Sequence, residues 1–104
     1  MRINLSEIIE LRKDFHKNPE LSDHEKQTAR SIIKYISQFT PVKIIENIGG
    51  YGIGFIFEGK QEGPTVMFRC ELDALPINEL NQFAYRSSKS GISHKCGHDG
   101  HMAI

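Results

Sequence analysis

The sequence predicts an α/β fold, and three features of the 104-residue chain carry that prediction. Apolar residues recur at helical spacing before Pro41, β-rich runs follow it, and a short continuously apolar run, Val66-Met67-Phe68, lies beyond a charged turn. The expected order is helix, helix, strand, strand, strand, loop and an unfinished helix. This is the opening of an α/β domain and not a closed small fold.

Leu5, Ile8, Leu11 and Phe15 define the first helix, and Asn18-Pro19 closes it, because a residue before proline avoids the helical region. "SDHE" has the spacing of a capping box, with Ser22 as N-cap and Glu25 three positions on. Behind it Ala29, Ile32, Ile33, Ile36 and Phe39 form one apolar stripe, while Lys26, Arg30 and Lys34 fall largely elsewhere. A helix over 22–39 is therefore expected to press Ala29, Ile32, Ile33 and Ile36 onto a sheet containing 64–71. After Pro41, "VKIIENI" and "IGFIFEG" are β-rich runs separated by "GGYG", the pattern of a hairpin or tight connection. "EGKQEGP" is a second turn. In "TVMFRCELDALPI" the apolar run predicts a strand buried on both faces, with Cys70 inside it as a small apolar residue. Residues 78–92 form a polar loop, and Met102-Ala103-Ile104 has the character of a first helical turn.

Composition narrows the function. The formal net charge is zero, whereas nucleic acid or an anionic membrane as main partner calls for a surplus of Lys and Arg. No run approaches the length of a membrane span. The N-terminal "MRINLSEIIELRKDF" is charged throughout and lacks an apolar core, so it reads as helix and not as a secretory leader. A cytoplasmic setting follows, in which Cys70 and Cys96 stay reduced and a metal-binding or catalytic thiol is favoured over a disulfide.

The chemistry concentrates in "HKCGHDGHMAI", residues 94–104. His94, Cys96 and His98 are spaced by two, which aligns them on one side of an extended chain but not on a helix. His98 and His101 are spaced by three, which suits a helical face. The segment can offer ligands only by passing from extended chain into helix, and glycines at 97 and 100 make that bend cheap. Thiolate plus imidazole suits Zn²⁺, and with carboxylate help Ni²⁺, Co²⁺ or Mn²⁺. The competing reading is a polar surface loop with an inert thiol. Further ligands must come from elsewhere, and Glu71 and Asp73 are the nearby carboxylates at a strand end, where open α/β sheets deliver functional side chains. Asp73 is otherwise a turn-former or helix cap before "ALP". His16 and His24 read as surface or packing histidines.

Three segments, "LRKDFHKNPELSDHEKQTA", "FRCELDALPI" and "HKCGHDGHMA", together resemble successive N-terminal motifs of the bacterial and plant metal-dependent amidohydrolases. That family includes hippurate hydrolase, N-acyl-amino-acid amidohydrolases, N-acetyldiaminopimelate deacetylase and indole-acetyl-amino-acid hydrolases, and is related to aminoacylases and zinc carboxypeptidases. The resemblance covers nearly the whole chain. It implies the N-terminal part of a zinc-exopeptidase-like α/β catalytic domain over residues 1–104, incomplete as it stands. It also implies cleavage of the amide of a small N-acyl amino acid by a two-metal centre holding Zn, Mn, Co or Ni. Cys96 and His98 match the family's first two metal ligands, and Asp73 matches the aspartate that supports the site from behind them. His94 and His101 match positions that are not expected to be ligands. Metal lowers the pKa of water and polarises the amide carbonyl, with a glutamate as general base. Two positions depart from the pattern: Glu71 stands where an aspartate is usual, and Cys70 where a small residue is usual. The catalytic glutamate, a neighbouring ligand glutamate, two further histidines and an inserted dimerisation domain of these often homo-oligomeric enzymes have no counterpart here. The chain is therefore expected to be inactive alone. The alternative is a non-catalytic binding module or partner subunit derived from such an enzyme.

Overall fold

The structure is a computed structural model that describes residues 4–104. Met1, Arg2 and Ile3, the start of the charged N-terminal stretch, lie outside the described residues. Helices α1 (Leu5–Lys17) and α2 (Lys26–Ser37) are followed by an antiparallel hairpin of β1 (Lys43–Ile48) and β2 (Gly52–Ile56), and a short helix α3 (His98–Ala103) closes the order.

Helix α1 starts at Asn4, whose side-chain oxygen accepts from the Ser6 N–H at 3.2 Å, and it stops at Asn18 ahead of Pro19 as the sequence requires. Helix α2 begins later than the capping-box spacing predicts. Its N-cap is Glu25, which makes no side-chain cap bond, and Ser22 and Asp23 sit in a preceding turn. The free N–H groups of its first turn are met instead by Glu20. This buried carboxylate accepts from the N–H of Gln27 at 3.2 Å, the N–H of Thr28 at 2.5 Å and the Thr28 hydroxyl at 2.7 Å. An acid from outside the helix does the same electrostatic work as a box within it, because the first turn presents unpaired donors and partial positive charge.

The stripe on α2 divides between two neighbours. Ile32 and Ile36 line a groove with Ile8, Leu11 and Phe15 of α1 and with Met102 and Ala103 of α3. Ala29 and Ile33 turn toward Tyr51 and Ile53 of the hairpin. Within the hairpin Lys43 pairs with Ile56, Ile44 with Phe55 and Ile45 with Gly54, and an irregularity follows before Ile48 meets Gly52. Gly52 is obligatory there, since a Cβ would collide with the Ile48 carbonyl oxygen.

The expected sheet containing 64–71 is not formed among the described residues. That segment has no regular secondary structure and no strand neighbour, and Val66, Met67 and Phe68 are 69%, 83% and 94% exposed. Cys70 is likewise exposed and not buried. The physical reason is that an apolar strand is buried only by neighbours on its edges and faces, and α2 packs on β2 instead. The apolar core is correspondingly thin: Phe15, Ala29, Ala74 and Ala103.

Two isolated bridges draw the second half of the chain onto the first. The Ala74 N–H donates to the Glu20 carbonyl at 2.7 Å, beside a parallel pairing of Leu21 with Ala74. Leu75 and Ser93 exchange N–H···O bonds of 3.0 Å in both directions. These bonds set residues 73–75 alongside the segment that carries the histidines.

Candidate metal centre

The chain passes from a bridged segment at Ser93 into helix at His98, the change of conformation that the spacing of His94, Cys96, His98 and His101 predicts. Gly97 makes the change with φ 83°, in the left-handed region that favours glycine. Gly100 takes no part in the bend: it lies inside α3, which starts at His98, four residues before the expected Met102. His98 and His101 fall on one face of α3 with ring centroids 6.2 Å apart.

Asp73 and His98 come together. The His98 Nδ1–H lies 2.9 Å from the Asp73 carbonyl oxygen and 3.2 Å from its Oδ1. Both acceptors belong to one residue, so Nδ1 carries the proton and Nε2 is left with its lone pair free. This is how a metal-binding imidazole is oriented by the group behind it. Cys96 presents an exposed thiol two residues away. Glu71, the other carboxylate at this end, pairs with Arg69 at 2.9 Å. His24 is exposed, as read from the sequence, and His101 is exposed on α3.

His94 is 4% exposed, and neither ring nitrogen finds a hydrogen-bond partner among the described residues. Burial is the main cause that pushes its pKa down, with the neighbouring His16 and His98 acting the same way and Asp99 and Asp73 opposing. Burial thus favours the uncharged form of the ring. No group of three or more His, Cys, Asp or Glu side chains among the described residues is arranged to hold a metal ion. The donors Cys96 and His98 have the right chemistry for two positions of a larger ligand set and do not complete one.

A second cluster, which the sequence reading did not anticipate, surrounds His16. Its Nδ1 lies 2.8 Å from Asp99 Oδ2, and its Nε2 lies 3.0 and 2.9 Å from the two oxygens of Glu79. Arg12 Nε reaches the same Asp99 oxygen at 2.9 Å, and Lys95 Nζ reaches Glu79 at 2.7 Å. Burial alone raises the Glu79 carboxyl, but hydrogen bonds from Lys95, the Ser87 N–H, His16 and Asn81 outweigh it and hold the pKa at about 2. Asp99 shows the same balance: burial pushes up, while His16, Arg12 and the Gly100 N–H bring it below the usual carboxylate range. His16 is thus a bridge between two carboxylates and not a packing histidine. The i, i+4 spacing of Arg12 and His16 on α1 is the one local signal of the cluster, since it places both on one helical face.

The fold thus brings the exposed Cys96 thiol and the carboxylate-backed His98 imidazole to one turn. No family model matches the chain. It is 34% identical over 99 residues to N-acyl-L-amino acid amidohydrolase of Geobacillus stearothermophilus, and 32% identical over 99 residues to N-acetyldiaminopimelate deacetylase of Priestia megaterium. In both alignments 95% of the chain is covered, and 26% of the relative. The crystal structure of Bacillus subtilis YXEP, a dinuclear metal-binding peptidase of the M20 family, superposes with a TM-score of 0.87 at 32% identity. That superposition covers 94% of this chain and 27% of that one. The chain is similar over nearly its whole length to amidohydrolases and M20 peptidases, and it spans about a quarter of the length of the relatives it matches. The two helices and the antiparallel hairpin match part of the fold of that M20 peptidase, in line with the fold class read from the sequence.

Proposed function

We propose that residues 1–104 form the N-terminal part of a metallohydrolase catalytic domain, and that Cys96 and His98 are two ligands of its dinuclear centre. Asp73 orients His98 from behind. The observation that carries this reading is the Asp73–His98 contact, which engages Nδ1 and leaves Nε2 free, two residues along the chain from the exposed Cys96 thiol. The reaction proposed for the whole protein is hydrolysis of the amide of a small N-acyl amino acid, the substrate class named in its relatives. The divalent metals, two per complete site and drawn from Zn, Mn, Co or Ni, supply Lewis acidity toward the amide carbonyl and toward water. This chain's share is to hold donors in place. Backbone bonds at Ala74 and Leu75 fix the segment that carries Asp73, and Gly97 makes the turn between Cys96 and His98. The reading assigns the protein to the cytoplasm, where the Cys96 thiol stays reduced. No helix among the described residues is long and apolar enough to cross a membrane.

The test is a Co²⁺ titration followed by visible and near-ultraviolet absorption. Thiolate-to-cobalt charge transfer is expected in the wild type and is expected to vanish in Cys96→Ala. Equal spectra in the two proteins would refute the assignment. A second reading is a non-catalytic binding module or partner subunit derived from such an enzyme. Metal-dependent hydrolysis of hippurate or N-acetyl amino acids by the 104-residue chain, abolished in Cys96→Ala, would exclude that second reading.

A further inference from the structure

We infer that His16 is a positioning residue for the Cys96–His98 turn, because its imidazole ties together the two carboxylates, Asp99 and Glu79, that hold the turn from either side. The inference rests on the reading of Cys96 and His98 as ligands. Lys95, immediately before Cys96, is held by Glu79 at 2.7 Å; Asp99, immediately after His98, is held by Arg12 at 2.9 Å. His16 spans the gap between those two anchors with bonds of 2.8 Å to Asp99 and 2.9 Å to Glu79. The turn is gripped at both ends by one connected set of charges rooted on α1.

The surroundings make the grip stiff. His16 is 4% exposed, the side chains of Asp99 and Glu79 are 2% and 3% exposed, and Phe83 and Tyr85 cover the imidazole with ring centroids 5.6 and 5.7 Å away. Glu79 also accepts from the Ser87 N–H at 2.7 Å, so the long loop is drawn onto the same point. In such water-poor surroundings charge-assisted bonds are directional and short. Neither Cys96 nor His98 touches α1 through these bonds, so the sequence spacing of the ligands does not reveal the device. What it supplies is a fixed distance between the two flanks, which a ligand pair needs before metal arrives.

Cutting the bridge need not unfold the protein. In His16→Gln, Asp99 keeps Arg12, and Glu79 keeps Lys95 and the Ser87 N–H. Glu79→Gln removes the negative charge of the other arm while leaving the Asp99 side intact. Two measurements are made on wild type and both variants: peptide-resolved amide hydrogen exchange without metal, and Co²⁺ affinity from the charge-transfer absorption. The expected result is exchange about tenfold faster over residues 93–104 with α2 unchanged, the scale of losing one charge-assisted hydrogen bond in a locally opening unit. Co²⁺ affinity is expected to fall in parallel. A purely structural role predicts faster exchange across α1, α2 and 93–104 together, and that pattern would overturn the inference. A wild type that takes up no Co²⁺ overturns the metal reading itself. A metal-binding wild type with unchanged exchange in His16→Gln overturns the clamp alone.

Discussion

Replacing Asp73 by alanine isolates the part of the site that orients His98. The backbone carbonyl of the same residue lies at 2.9 Å from Nδ1, nearer than the carboxylate oxygen at 3.2 Å, and the substitution leaves that carbonyl in place. Nδ1 therefore keeps its proton and one acceptor, and what is lost is the negative charge behind the ring. Removing an outer partner of a metal-binding histidine commonly lowers affinity by about 10–100-fold, and the surviving carbonyl puts Asp73→Ala near the lower end, about tenfold. The assay is competitive Co²⁺ titration against a chelating indicator, run beside His98→Ala and Cys96→Ala, each of which removes a donor outright. Unchanged affinity in Asp73→Ala would show that the carbonyl alone orients the ring. A loss equal to that of His98→Ala would show that Asp73 is itself a donor. Either result refutes the reasoning.

Glu20→Ala strands the first-turn donors of α2 and the buried Thr28 hydroxyl, and is expected to cost about 2–4 kcal/mol in urea unfolding with Glu20→Gln losing less. The Glu79 pKa is depressed from 4.5 to about 2, so its contribution to stability is present above pH 4.5 and drains away as pH falls toward 2. Acid titration by circular dichroism should show that slope flattened in Glu79→Gln. Phe68, at 94% exposure in an unpaired apolar run, should drive concentration-dependent association that light scattering detects and Phe68→Lys reduces.

Periodicity made α1, α2 and the hairpin legible, because each is decided by residues within a few positions of one another. Spacing likewise revealed that Cys96 and His98 need a bend between them, and Gly97 provides it. The N-terminus of α2 was misread because Ser22 and Glu25 satisfy a local pattern, while the acid that caps the helix, Glu20, acts from outside it. Residues 64–71 were expected in a sheet because their composition is that of a buried strand, but burial is a property of neighbours and not of the run itself. The His16 cluster was invisible for the same reason: its bonds span 63 and 83 positions, and no local rule couples such distant residues.

That span also sets an order of assembly during synthesis. Helix α1 leaves the ribosome 83 residues ahead of Asp99, the acceptor for His16 Nδ1. At the usual elongation rate of ~5–20 residues per second, His16 waits roughly 4 to 17 s before that carboxylate exists. Glu79 emerges first and is available to the imidazole's other nitrogen, so the loop can dock on α1 before the thiol and its neighbouring histidine have emerged. The turn then closes onto a partner already half in place, and the order in which the chain is read becomes the order in which the donors are aimed.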